Sequence, residues 1–235
     1  HVGGRSLMWG RQSYRLTDFD FTANLQDGIA VDWPIRYKDL APWYNHVEEF
    51  IGVSGENVGL PQFPDGNYLK AMEMNCVEDV LKSSMSEKYD DRILTMGRTA
   101  HITEGLKPGL GRSNCQYRNR CMRGCPFGAY FSSNSSTLPT AEATGNMTLR
   151  ANSVVHEVIY DADTKRATGV RVIDAETKEV YEFNAKVIFL CASAIPTTSI
   201  LMQSKSERFP NGMGNDSGEL GHNIMDHHLG VGASG

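Results

Sequence analysis

"KVIFLCASAIPTTSILMQS", residues 186–204, decides the fold class. The apolar run from Val187 to Leu190 passes through the small residues Ala192, Ser193 and Ala194 into a helix-forming segment. An apolar run without polar alternation suits a strand covered on both faces, and strand-turn-helix is the repeating unit of an α/β domain. A helix N-terminus behind small residues presents free amide N–H groups, so Ala192 and Ser193 are candidates to face a cofactor phosphate. A plain packing turn accounts for the stretch equally well on its own.

Upstream of this run, "MTLRANSVVHEVIYD" (147–161) alternates as a strand does, and "KRATGVRVIDAETKEVYEFNA" (165–185) reads as a β-hairpin or meander. "SSTLPTAEATG" (135–145) is helix-like. Further back, "YKDLAPWYNHVEEFIGVSG" (37–55) predicts a helix ended by glycine, with Leu40, Trp43, Tyr44, Val47 and Phe50 on one face. "MEMNCVEDVLKSSMSEKY" (72–89) predicts a second helix with Cys76 on its apolar side, and "DRILTMG" (91–97) a strand. No internal repeat or low-complexity segment stands out.

The chain has 235 residues, 40% hydrophobic and 22% charged, as a globular protein has. A net charge of −5 argues against a general nucleic-acid binder. No apolar run approaches the ~20 residues that span a bilayer. The start, "HVGGRSLMWG", has neither methionine nor signal peptide, and the end stops in what reads as a new strand. An internal piece of a longer protein is the expectation, with any targeting signal lying elsewhere.

The strongest chemical signal is "RSNCQYRNRCMRGCPFGAYFSS" (112–133), which places Cys115, Cys121 and Cys125 at C-x5-C-x3-C spacing among Arg112, Arg118, Arg120 and Arg123. The two other cysteines, Cys76 and Cys191, are far away in sequence. Thiolates hold iron–sulfur clusters, and a Cys-Pro step such as Cys125-Pro126 recurs in cluster loops. Three cysteines suit a three-iron cluster, or a four-iron cluster with one open site, and the arginines would offset its negative charge. Zinc with His101 or another histidine as fourth ligand is a rival, although zinc knuckles favour shorter spacings. A disulfide plus one free thiol is the plainest reading. "HVGGRSLMWGRQSYR" (1–15) adds glycines through which a backbone can approach a cofactor, and Trp9, a flat apolar partner. "GELGHNIMDHH" (218–228) offers Asp226, His227 and His228, but at no established metal-ligand spacing.

The order of these pieces resembles the glucose-methanol-choline (GMC) family of flavin oxidoreductases over essentially the whole chain. The family's GG-x-S segment is similar to Gly3-Gly4-Arg5-Ser6, and its adenine-contacting valine strand to "GNMTLRANSVVHEV", pointing to Val155. "CASAIPTTSILM" resembles the second family signature, and "GHNIMDH" the G-x-N-x-x-DH that follows it. The cysteine loop is most similar to bacterial sugar dehydrogenase catalytic subunits, glucoside 3-dehydrogenases and flavin glucose dehydrogenases carrying a 3Fe-4S cluster.

The resemblance implies an α/β fold, a partial GMC architecture with a helical, cysteine-containing insertion. Residues 1–22 would be a FAD-binding segment, 23–133 the insertion, 134–230 the FAD-domain sheet and meander, and 231–235 the start of a substrate domain. It implies FAD contacts at Gly3, Gly4, Ser6, Trp9, Val155, Ala192 and Ser193, and cluster ligation by Cys115, Cys121 and Cys125. FAD is expected to be non-covalent, because Met8 stands where some relatives carry the attaching histidine. The implied reaction is oxidation of a sugar or glycoside hydroxyl, with electrons leaving through the cluster to a cytochrome c-type acceptor, a small accessory subunit being a further partner. The dinucleotide fingerprint and the catalytic base would lie outside this chain, which therefore holds no catalytic residue. A periplasmic or membrane-associated setting follows from the resemblance alone. Two alternatives stay open: a sugar or alcohol oxidase using oxygen, and a non-catalytic zinc or disulfide interaction module.

Overall fold

The computed structural model describes residues 1–105, 111–226, 230 and 232, and the chain divides into two compact units, residues 1–149 and 150–235. The α/β class expected from the sequence holds: helices alternate with small antiparallel sheets.

The first unit opens with a 3-10 turn, Gly4–Leu7, followed by short helices α1 (Asp18–Phe21) and α2 (Ala23–Asp27). Thr17 and Asp20 cap α1 reciprocally, each accepting from the other's backbone end. Helix α3 runs Tyr37–Ile51 and ends at Gly52, whose φ of 78° is the left-handed value a terminating residue needs. Helix α4, Cys76–Lys88, starts at Asn75, whose side chain accepts from the Val77 and Glu78 amides while Glu78 returns a bond to the Asn75 amide. Helix α5 is Thr137–Ala143.

Between the helices, β1 (Val53–Ser54) pairs antiparallel with β2 (Thr99–Ala100), and single bridges add Gln12 beside Thr99, Leu69 beside Ser54 and Tyr130 beside His101. The core forms around this patch: Val53, Ala100 and Phe131 are buried, with Trp9, Ile51 and Tyr68 packed against them.

Three expectations for this unit need correction. Residues 91–97 form no strand; the ladder begins at Thr99, and the preceding stretch is extended without regular pairing. The buried face of α3 is rotated from the expected one. Trp43 is 67% exposed and Val47 half-exposed, while Tyr37, Leu40, Tyr44, Glu48 and Ile51 turn inward. A buried arginine partner for Glu48 reorients the helix, as described below. Cys76 likewise lies exposed in the first turn of α4 rather than on a packed face.

The second unit is a meander of β3 (Ser153–Asp161), β4 (Arg166–Asp174) and β5 (Val180–Asn184), antiparallel in sequence order, with helix α6 (Ala194–Gln203) packed on β3. Val158, Val172 and Ile200 form its buried centre. The Ser204 hydroxyl ties the end of α6 to the sheet by accepting from the Val158 amide at 2.8 Å. The meander was legible in the sequence; the apolar run before α6 is a different matter. Residues 186–191 are not a strand in the structure, Phe189 is 83% exposed and Val187 is exposed as well. A strand exists only where a neighbour completes its hydrogen-bond ladder, and none among the described residues pairs with this run.

Candidate cofactor and metal site

The three loop cysteines converge. Cys115, Cys121 and Cys125 line one cavity of about 30 Å³ together with His101, Pro126 and Phe127. All three are free thiols, half-buried. Cys125 also lines two neighbouring hollows of about 540 and 340 Å³, and Cys121 the second of these.

Backbone pairing brings the loop to this place. The stretch around β2 is the anchor: the Cys115 amide donates to the Ile102 carbonyl at 2.9 Å, the Ile102 amide to Ala129 O, and the Phe131 amide to Ala100 O. The stems join directly where the Ser113 amide donates to Phe127 O. Inside the loop, Tyr117 and Asn119 adopt left-handed φ values of 49° and 53°, Cys121–Arg123 form a 3-10 turn, and Gly124 has φ 96°. These reversals fold the x5 and x3 spacers back so that all three cysteines line one cavity.

Arg112 holds the loop from behind. It is buried and donates to Gly128 O at 3.0 Å, Ser136 Oγ at 3.2 Å and Ile51 O at 2.8 Å. Burial lowers its pKa, partly offset by Cys125. The arginines expected to compensate a cluster thus divide: Arg112 is a structural clamp, while Arg118, Arg120 and Arg123 are exposed and rim the hollow shared with Gly124, Cys125 and Pro126. Burial raises the Cys115 thiol above its usual range, with Cys121 and Cys125 adding to the shift and the Tyr117 amide, which donates to its sulfur at 3.3 Å, opposing it. His101 is 7% exposed, rests edge-on against Tyr130 with ring centroids 5.4 Å apart, and is held below its usual pKa by burial and by Arg11.

Among the described residues, no three His, Cys, Asp or Glu side chains are gathered as a single-ion site. The donor set nevertheless fits a thiolate-held cluster by its chemistry: three free thiols on one cavity, an amide N–H already on one sulfur, and cationic side chains on the rim. Asn114 Oδ1, next to Cys115 in sequence, is buried without a hydrogen-bond partner among the described residues.

The residues expected at a flavin fall in both units. In the first, Gly3 has φ 92°, where a side chain is strained, and a Cβ there would press on Asn134 Oδ1 at 2.5 Å, so the turn favours glycine; Gly4, φ 49°, faces open space. Ser6 donates to Gly3 O and accepts from the Ser133 amide at 2.9 Å, joining the opening turn to the 132–136 turn. Trp9 packs inward, edge to face on Phe131, and its indole N–H has no partner among the described residues. Arg11, missed by the sequence reading, braces this turn by donating to Ser6 O at 3.1 Å and Phe131 O at 2.7 Å, its guanidinium 3.9 Å from the Tyr130 ring centre. In the second unit, Val155 sits on β3 opposite Val172, beside a register shift at His156. Ala192 and Ser193 are exposed ahead of α6, and Ser193 carries a left-handed φ of 72°. Of the 218–228 motif, His227 and His228 lie outside the described residues, as do all of residues 231–235 except Gly232.

Comparison with known proteins places the chain in a family. The chain is 29% identical to the 2-methyl-1,2-propanediol dehydrogenase of Mycolicibacterium austroafricanum, over 100% of this chain and 42% of that protein. It is 29% identical to the fructose dehydrogenase large subunit of Gluconobacter japonicus, over 99% of this chain and 42% of that one. Paromamine 6'-oxidase of Streptomyces fradiae is 28% identical, over 95% and 40%. The chain therefore spans less than half the length of the curated relatives it matches. The GMC oxidoreductase profile matches residues 1–229, nearly the whole chain, and the chain belongs to the GMC oxidoreductase family.

Proposed function

We propose that this chain is part of a FAD-dependent dehydrogenase that oxidises a hydroxyl of a sugar or glycoside and passes electrons through a 3Fe-4S cluster to a cytochrome c-type acceptor. The observation that carries the reading is the convergence of Cys115, Cys121 and Cys125 on one cavity. Two relatives named as dehydrogenases support oxidation of a hydroxyl-bearing substrate, and the name of the fructose dehydrogenase large subunit supports a partner subunit. When bound, FAD supplies two-electron chemistry and the cluster one-electron transfer.

The protein's own part is positioning. The Gly3-Gly4 turn brings backbone close to the flavin, Ser6 fixes that turn, and Trp9 supports it from within. Val155, Ala192 and Ser193 contribute the second unit's contacts to FAD, which is held without a covalent bond. Residues 1–22 and 134–230 make up the flavin domain, 23–133 its insertion, and 231–235 the opening of the substrate domain. Cys115, Cys121 and Cys125 hold the cluster, and Arg112 keeps the loop stems together under it. The base that removes the hydroxyl proton lies elsewhere in the longer protein.

A second reading, an oxidase handing electrons to oxygen, is favoured by the likeness to paromamine 6'-oxidase. Metal analysis of the anaerobically purified full-length protein separates the readings. Iron and acid-labile sulfide near cluster stoichiometry are expected, abolished by Cys121→Ser and unaffected by Cys76→Ser, since Cys76 is exposed on α4. Zinc without iron, or neither metal, sinks the cluster reading.

A further inference from the structure

His101 has no evident structural employment. It is nearly buried, its neighbours along the chain are pinned to the cysteine loop's stems, and no described residue hydrogen-bonds to either ring nitrogen. Among the described residues its ring contact is with Tyr130. A neutral imidazole carries one N–H donor and one acceptor, and neither His101 nitrogen is sealed off from its surroundings as the Trp9 indole N–H and Asn114 Oδ1 are, so the ring keeps a polar edge open to a group beside it. The ring lines the same cavity as Cys115, Cys121 and Cys125. Among the described residues no other imidazole and no carboxylate lines it, so His101 is the one described titratable side chain there besides the thiols and the arginines.

We infer that His101 is the hydrogen-bond donor of the thiol cavity: its ring N–H bonds a sulfur of the inorganic group held by the three cysteines and sets that group's reduction potential. The inference rests on the cluster reading above. Hydrogen bonds to cluster sulfur stabilise the more negative, reduced form and so raise the potential. His101 acts through the group and is a positioning residue for electron transfer rather than a catalytic one.

Two variants of the full-length protein test it. His101→Phe keeps a ring against Tyr130 and removes the nitrogens; His101→Gln keeps an N–H donor. With iron and sulfide retained, the Phe variant should show an altered cluster EPR signal and a tenfold bias toward the oxidised form, a potential about 59 mV lower for a one-electron couple. The Gln variant should recover part of that shift. Wild-type protein grown on ring-¹⁵N-histidine should show weak nitrogen coupling to the oxidised cluster in pulsed EPR, lost in the Gln variant. That measurement stands even where the Phe variant does not fold. Wild-type protein without iron and sulfide overturns the cluster reading and this inference together. A wild-type cluster with no nitrogen coupling, with the strong coupling of a ligating nitrogen, or with an unchanged potential in His101→Phe overturns the inference alone.

Discussion

Arg11, Arg15, Arg98 and Arg112 are buried in the first unit, an arrangement that composition did not foretell. The unit has little regular sheet, so many loop carbonyls need donors, and a guanidinium offers five in a fixed fork. Arg98, with no exposure at all, donates to the carbonyls of Glu56, Phe63 and Pro64 and lies 3.7 Å from the centre of the Phe63 ring. Arg15 instead meets Glu48 of α3, along with Tyr37 Oη at 2.8 Å and Asn45 Oδ1 at 2.6 Å. Its pKa stays raised despite the opposing effect of burial, because Glu48 and Tyr37 bond it. Removing one partner of such a pair strands the other charge. Glu48→Gln should therefore cost about 3–5 kcal/mol in urea unfolding, whereas Arg15→Met with Glu48→Leu should recover most of the loss. A cost below about 1 kcal/mol for Glu48→Gln would show that Tyr37 and Asn45 suffice. The pairing was invisible in the sequence, because nothing local marks which charged residue turns inward. In retrospect one signal existed: Glu48 is in phase with Tyr37, Tyr44 and Ile51 on α3.

Among the elements, the meander shows what sequence reads well. Alternation placed β3, β4 and β5, and the two connecting turns use nearly one sequence, Asp161-Ala162-Asp163-Thr164-Lys165 and Asp174-Ala175-Glu176-Thr177-Lys178. In each, the aspartate accepts from the amides two and three residues on, and the lysine takes a left-handed φ, 53° at Lys165 and 65° at Lys178. An L-residue pays about 1–2 kcal/mol there, which glycine escapes. Lys165→Gly and Lys178→Gly should each raise the unfolding free energy by about 1 kcal/mol; destabilisation by either would show that the lysine side chain matters more than its backbone. The same turns set an acid limit. Thr164 first, then the Asp163 amide, holds the Asp161 carboxyl below its usual range, and the Thr177 and Glu176 amides do so for Asp174. A carboxyl depressed in the folded state stabilises fully above its unfolded pKa, about 3.9, and that stability is lost as pH falls through the folded value. Thermal unfolding followed from pH 5 downward should show Tm falling below about pH 4, less steeply in Asp174→Asn; equal slopes would remove Asp174 from the account. The run 186–191 fared otherwise because strand formation there depends on a neighbour, which no local pattern supplies. The cysteine loop lies between these cases: spacing singled out three candidate ligands, while their meeting with His101 on one cavity comes from long-range pairing with residues 100–102.

Taken as a whole, the molecule is acidic with one basic interruption. Residues 105–141 contain five Lys and Arg and no Asp or Glu, so a stretch of +5 sits in a chain of −5. Its exposed members Arg118, Arg120 and Arg123 have no carboxylate partner among the described residues, and they surround the hollow that Cys125 shares. Like-signed charges around a hollow focus the field and raise the encounter rate of an opposite charge by about tenfold or more at low salt, an effect lost beyond a Debye length of about 10 Å at 0.1 M. If electrons leave at this loop, acceptor charge should govern the rate. Full-length enzyme reduced anaerobically with dithionite and mixed in stopped flow should be oxidised by ferricyanide at a rate that falls steeply with added salt. Oxidation by uncharged benzoquinone should be nearly salt-independent. Replacing all three rim arginines by glutamate should slow ferricyanide and flatten or invert its salt dependence while leaving benzoquinone almost unchanged. A variant that keeps the wild-type salt dependence with ferricyanide would place the electron exit elsewhere, at a flavin edge reached without passing the arginine rim, and the loop would then serve cohesion of the first unit alone.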